Sequence, residues 1–287
     1  MMEILDEIIY KYANIVDNAD VTLEKNTDLV ADLGYDSISA VRLIIELESV
    51  YCIEINDISN MMRYGVLKRY VESHSIFARF YKDYLLGELF DKVNGCEIMI
   101  SDKRDMPINK RFYYSIIMTD LGDQRVISCS HNMVEIMRNR ISDYGELCES
   151  VDKMIDVFQF EGCSTRKMLR MLWDQDYSIT GAGETEIEYE YISDLVKVVA
   201  KLNGTIIAYA KISDVINGVG NIVVYTDEEY RNRGIATSLL LLLLEKCENL
   251  NICPMYVVDE KNVASLNLAK KIGFSVVSEE VMVSREG

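Results

Sequence analysis

Residues 230–236 read Tyr230-Arg231-Asn232-Arg233-Gly234-Ile235-Ala236, and this stretch decides the fold of the C-terminal part of the chain. It follows a β-type run, Asn221 to Tyr225, and leads into a helix-forming segment, Ala236 to Glu248, that holds the leucine run Leu239–Leu244. A strand, a loop and a helix start in succession form a cradle for an anion, because the first amide N–H groups of a helix lack partners within it. Gly234 and Ala236 leave the backbone unobstructed, and Arg231 and Arg233 add positive charge. Alone, the R-x-x-G-x-A pattern describes an ordinary basic helix cap equally well.

Working outward, the spacing predicts strands at Glu186 to Tyr191, Val196 to Leu202 and Thr205 to Ile212, with Asn203-Gly204 as a hairpin turn. After the leucine helix come a strand at Pro254 to Val258, a helix at Ala264 to Ile272 and a strand at Ser275 to Val283. The leucine run is apolar on every side, which suits a helix buried against a sheet; it is far too short to cross a bilayer.

The second signature is Asn262-Val263-Ala264-Ser265-Leu266-Asn267-Leu268-Ala269-Lys270-Lys271-Ile272-Gly273-Phe274. With the arginine loop at the expected distance before it, residues 185–287 resemble the GNAT acyltransferases. The resemblance implies an α/β fold with a mixed, splayed central sheet, in which a pantetheine thioester of acetyl-CoA or acyl-CoA lies between two strands. An amine then attacks the thioester directly, with positioning and a backbone N–H as the main catalytic devices. It implies that Val224, Tyr225 and Thr226 line the pantetheine. Arg231, Asn232, Arg233, Gly234, Ile235, Ala236 and Thr237 would take the pyrophosphate, and Asn262 and Ser265 the thiol side. Many members place a thiolate-protonating tyrosine where this chain has Ala269, so Ser265, Tyr225 or water must serve, or no dedicated acid is needed.

A different pattern opens the chain. Ile4, Leu5, Ile8, Ile9, Tyr12 and Ile15 fall at helical spacing, and a second periodic run extends from Asp36 to about Tyr51. Ser37 stands in its first turn, directly after a capping Asp36, with Ile38, Val41 and Ile45 following. An isolated Asp-Ser pair is most simply a helix cap. Residues 2–73, however, resemble acyl carrier proteins throughout: an acidic first helix, the loop Thr27–Gly34, then Asp36-Ser37-Ile38, then Ile53-Glu54-Ile55 before two short helices. That resemblance implies an all-α four-helix bundle, with 4'-phosphopantetheine attached to Ser37 by a phosphopantetheinyl transferase. Arg42 departs from the acidic helix of fatty-acid-synthase carriers and puts docking to those enzymes in doubt.

The fold class expected is therefore multidomain: 1–75 a carrier, 76–184 an α/β subdomain, a degenerate GNAT-like half among the options, and 185–287 the GNAT core. In the middle region, strands are predicted at Glu97 to Ile100, Phe112 to Thr119 and Arg125 to Ser130. Helices are predicted at Asn132 to Asp143, Ser150 to Phe158 and Thr165 to Asp174. His131 is a candidate general base for the acceptor amine or a structural residue. Trp173 and Tyr177 to Tyr191 suit a pocket or a core.

The net charge is -17, and residues 1–75 hold 14 acids against 6 bases. Such a surface disfavours nucleic acid and anionic membranes as partners. Seven scattered cysteines without a C-x-x-C pair, and only two histidines, read as reduced thiols in a cytoplasmic protein with no metal site. No signal-peptide pattern opens the sequence. The partners expected are the modifying transferase, an acyl-loading enzyme, and a small-molecule amine or carrier-bound aminoacyl acceptor. Three readings follow: acyl transfer from the carrier's own arm to an amine, acyl-CoA-dependent N-acylation of an aminoacyl group on Ser37, or a non-catalytic GNAT-like module that docks the carrier.

Overall fold

The computed structural model describes residues 2–14, 22–55, 58–107, 112–121, 124–143, 158–173, 186–192 and 196–286. The chain divides into two compact units, Met1–Arg79 with Trp173–Thr180, and Phe80–Leu172 with Gly181–Gly287.

The first unit holds α1 (Met2–Tyr12), α2 (Ser37–Tyr51), a 3-10 turn at Ser59–Met61, and the beginning of α3 (Tyr64–Leu85). Leu5, Ile9, Leu29, Leu33, Leu43, Leu47 and Leu67 are almost fully buried in one core. Asp36 caps α2, its carboxylate accepting from the Ile38 and Ser39 amides at 3.0 and 2.8 Å, and the Ser39 hydroxyl closes a capping box. The predicted pair of short helices takes the form of one three-residue 3-10 turn and one long helix. α3 runs unbroken past Ser73–Ser75 to Leu85.

The second unit is built on a sheet with eleven strands among the described residues: β1 (Glu88–Val93), β2 (Cys96–Ile100), β3 (Phe112–Leu121), β4 (Gln124–Cys129), β5 (Cys163–Trp173), β6 (Glu188–Ile192), β7 (Lys197–Leu202), β8 (Thr205–Ile216), β9 (Val219–Thr226), β10 (Cys253–Asp259) and β11 (Phe274–Glu286). Its order is β1-β2-β4-β3-β11-β5-β10-β9-β8-β7-β6. The middle region and the C-terminal core thus share one sheet. α4 (Val134–Asp143) packs Val134, Met137 and Ile141 on one face.

The expected hairpin forms at Asn203-Gly204, with φ of 51° and 78°. Two positive φ values are what a two-residue hairpin turn of the favoured hand requires. The leucine run lies in α5 (Ile235–Asn249) and packs on the sheet. There Leu239, Leu240 and Leu243 are 0% exposed, each contributing about 1.5–3 kcal/mol by burial. α6 (Val263–Ile272) follows β10.

One expectation is overturned. The helix expected at 165–174 does not form over 165–173: residues 163–173 are β5, lying between β11 and β10 and pairing antiparallel with β10. Lys167, Met168, Leu169, Arg170, Met171 and Leu172 are good helix formers, and non-local pairing in the middle of the sheet overrides that preference. The helix expected at 150–158 and the tyrosine-rich stretch from Tyr177 fall largely outside the described residues. No helix among the described residues is long and apolar enough to cross a membrane.

Candidate functional site

The site grows from a defect in the sheet. β9 and β10 are parallel, and their ladder has three rungs: Val219–Cys253, Gly220–Pro254 and Asn221–Met255. There it stops. Beyond it, β9 is held only by β8, from Ile222–Ile212 to Thr226–Ala208, and β10 only by β5, from Tyr256–Met171 to Asp259–Met168. The two inner edges therefore face each other across a fork with backbone N–H and C=O groups that the ladder does not use.

Because β9 and β10 run parallel, their C-terminal ends meet at one edge of the sheet, where ligands of open α/β sheets bind. This brings most of the predicted site residues together. Val224, Tyr225 and Thr226 end β9, while Arg231–Thr237 form the loop and first turn of α5. Asn262 and Ser265 begin α6, just after β10. Asn232 and Gly234 have φ of 64° and 79°, and no side chain caps α5. A Cβ on Gly234 would meet nothing within 4 Å, so the space over the helix start is open.

The arginines are partly engaged. Arg231 Nε–H donates to the Thr226 carbonyl at 3.2 Å, and its guanidinium lies 3.5 Å from Glu228. Arg233 donates to the Glu229 carbonyl at 3.3 Å and stacks on Tyr230. Both stay exposed beside the start of α5.

The candidate proton carriers differ in setting. Tyr225 is exposed and stacks on Tyr209, with ring centres 5.5 Å apart. A hydrogen bond to Asp227 raises its phenol above the usual range. Ser265 Oγ lies 2.9 Å from the Tyr256 hydroxyl, and its amide donates to Asn262 Oδ1 at 3.2 Å, so Asn262 caps α6. Burial raises the Tyr256 phenol, and Ala269, one helical turn beyond Ser265, is fully buried. Tyr256 escaped sequence reasoning because only the fold brings it to Ser265. Burial also pushes the Cys247 and Cys253 thiols up to about 12, which leaves neither as a ready nucleophile.

His131 is not brought to this cluster. It follows β4, and four strands, β3, β11, β5 and β10, separate β4 from β9, about 24 Å along the sheet at the usual spacing. There His131 Nδ1 lies 2.6 Å from Asp105 Oδ2, beside a cavity of about 260 Å³ lined by Gly87, Glu88, Asp102 and Lys103. Among the described residues no group of His, Cys, Asp and Glu is arranged to hold a metal.

A mixed sheet whose central parallel pair parts beside an uncapped helix start leaves an open fork at the C-terminal ends of β9 and β10. Residues 165–274 match the Acetyltransferase (GNAT) family, and the C-terminal part of the chain is a GNAT N-acyltransferase domain. Among solved structures, the chain is similar to a GCN5-related N-acetyltransferase-like protein from Streptococcus suis, with 15% identity, TM-score 0.37, and 49% of this chain and 69% of that one covered. It is also similar to a GCN5-related N-acetyltransferase from Sphaerobacter thermophilus, with 12% identity, TM-score 0.38, and coverage of 69% and 75%. A third similar structure is the PaiA N-acetyltransferase from Thermoplasma acidophilum in complex with coenzyme A, with 19% identity, TM-score 0.28, and coverage of 32% and 61%. A sequence search among curated proteins finds no match.

The residues present fit an acyl-CoA. The start of α5 is uncapped and open, and the Thr226 hydroxyl at the top of the fork is buried without a hydrogen-bond partner in the protein. A bound acyl-CoA supplies a thioester carbonyl activated toward an amine. The α5 amides with Arg231 and Arg233 would hold its phosphates, and the β9 edge left free by the ladder would offer hydrogen-bond donors to its arm.

Proposed function

We propose that this protein moves an acyl group from a pantetheine thioester to an amine, and that its N-terminal unit is an acyl carrier whose arm hangs on Ser37. The observation that carries the carrier reading is the setting of Ser37. It is exposed at the first position of α2, behind a fully formed Asp36 cap, with Ile38, Val41 and Ile45 exposed beside it at 62%, 53% and 61%. Asp36 and Ser39 satisfy the helix start between them, so capping does not require the Ser37 hydroxyl. A phosphodiester there lies at the positive end of the helix. Carrier and acyltransferase on one polypeptide raise the effective concentration of the tethered thioester, an arrangement suited to a specialised biosynthetic route in the cytoplasm. The partners are then a phosphopantetheinyl transferase, an acyl-loading enzyme and a small amine.

A second reading keeps both units and reverses the roles: free acyl-CoA is the donor and an aminoacyl group on Ser37 the acceptor. The arginine loop favours it, because a carrier-bound arm lacks the second phosphate that the open α5 start would bind.

Intact-protein mass spectrometry after treatment with a phosphopantetheinyl transferase and CoA tests the carrier. Wild type gains one phosphopantetheine and Ser37→Ala gains none; an unmodified wild type overturns it. Subsequent addition of acyl-CoA, with and without an aminoacyl load on the arm, separates the two donor assignments.

A further inference from the structure

The floor of the fork carries an unpaid polar atom. Asn221 stands on the last rung joining β9 to β10, opposite Met255, and its side-chain Oδ1 is buried with no hydrogen-bond partner in the protein. A buried acceptor without a donor costs about 1–3 kcal/mol, and a native chain tolerates it where something else supplies the donor. Residues directly opposite across a rung share a face, and every second residue along a strand returns to it. Asn221 therefore lies on the Tyr225 face of β9, at the closed end of the fork that opens toward Thr226 and the arginine loop.

The surroundings keep that oxygen from being satisfied from below. Gly220 brings the backbone so close that a Cβ there would lie 2.4 Å from Ile212, and the Ser213 hydroxyl donates to the Asn221 backbone carbonyl rather than to its side chain. Opposite, Arg170 directs one guanidinium N–H to Met255 Sδ at 3.4 Å and another to Glu280.

The geometry points to Asn221 as a specificity-determining residue: its amide oxygen selects a thioester whose acyl group carries a hydrogen-bond donor, a hydroxyl or an amino group, close to the carbonyl. This rests on the reading of the fork as the pantetheine cleft. With the phosphates at the α5 start and the arm running down the free β9 edge, the acyl end is what reaches the last rung. A site holding a buried acceptor discriminates against an isostere lacking the donor far more strongly than an apolar pocket discriminates by size.

The test is calorimetric binding of three ligands, CoA, hydroxyacetyl-CoA and propionyl-CoA, the last two matched in size, to wild type, Asn221→Leu and Asn221→Ala. Hydroxyacetyl-CoA is expected to bind wild type about tenfold tighter than propionyl-CoA, the factor of one net hydrogen bond. Both variants lose that preference and bind CoA as wild type does. Equal binding of the two acyl-CoAs by wild type, or a preference that survives in both variants, overturns the proposal. If both variants weaken all three ligands alike, the donor belongs to the pantetheine arm and the acyl assignment falls. Failure of wild type to bind CoA itself overturns the cleft, and this proposal with it.

Discussion

Arg170 on β5 and Glu280 on β11 form an ion pair in the middle of the sheet, with side chains only 4% and 0% exposed. Tyr84 and Tyr81 flank the guanidinium, with ring centres 4.7 and 5.5 Å away. Burial opposes the charge on Arg170, and the Glu280 carboxylate with the two tyrosines outweighs it, so its pKa is raised. Removing one partner strands a buried charge. Arg170→Met or Glu280→Leu alone should cost about 3–5 kcal/mol, and the double variant much less than the sum. Urea denaturation of the four proteins checks this.

Gly234 sits at φ 79° with empty space where a Cβ would go. Gly234→Val should lower stability by about 1 kcal/mol through the backbone, yet weaken CoA binding by more than tenfold, because the side chain enters the phosphate cradle. Arg231→Ala should weaken CoA binding about tenfold and flatten its salt dependence. Calorimetry at two salt concentrations measures both.

The Tyr256–Ser265 hydroxyl pair stands where the buried Ala269 cannot act. If it protonates the leaving thiolate, Ser265→Ala and Tyr256→Phe should each lower kcat about 10- to 100-fold with little change in KM for acyl-CoA. The acid must be protonated to work, and burial raises the Tyr256 phenol above its usual value, so the wild-type rate should show no alkaline fall below pH 10 from this group. Variants with unchanged kcat would leave protonation to water.

The two histidines of the chain should titrate far apart. Burial lowers His74 to about 4, against a weaker opposing hydrogen bond to the Tyr70 carbonyl, whereas the Asp105 hydrogen bond raises His131. Between pH 6.5 and 4 the unfolded chain binds the His74 proton and the folded one does not. Stability should therefore fall as pH falls through that window, by roughly 3 kcal/mol. The raised His131 contributes in the opposite sense: its share is complete below the unfolded value and fades as pH rises through the folded one. Proton NMR of the two rings reads both, and coincident midpoints near 6.5 would contradict this assignment.

The sequence made local features legible and left non-local ones hidden. The loop at 231–236, the leucine helix and the Asn203-Gly204 turn each rest on spacing within a few residues, and each stands where that spacing puts it. The residues of β5 predict a helix because Lys, Arg, Met and Leu favour one, while the strand they form depends on β10 and β11, some 80 to 120 residues further along the chain. The orphaned Asn221 oxygen and the Tyr256–Ser265 pair exist only once the strands are assembled. For His131, residue type alone allows a general base or a structural role, and its place after β4 sets it away from the fork.

The placement of β5 also bears on how this enzyme can be cut. Its central strand is supplied from upstream of residue 174, so a fragment beginning at 185 would carry both signatures, the arginine loop and Asn262–Phe274, yet expose two long strand edges in its interior. Such a piece should clump with its own kind rather than fold. Any shortened form intended for the bench must keep residues 163–173, and with them the strand that props one side of the fork open.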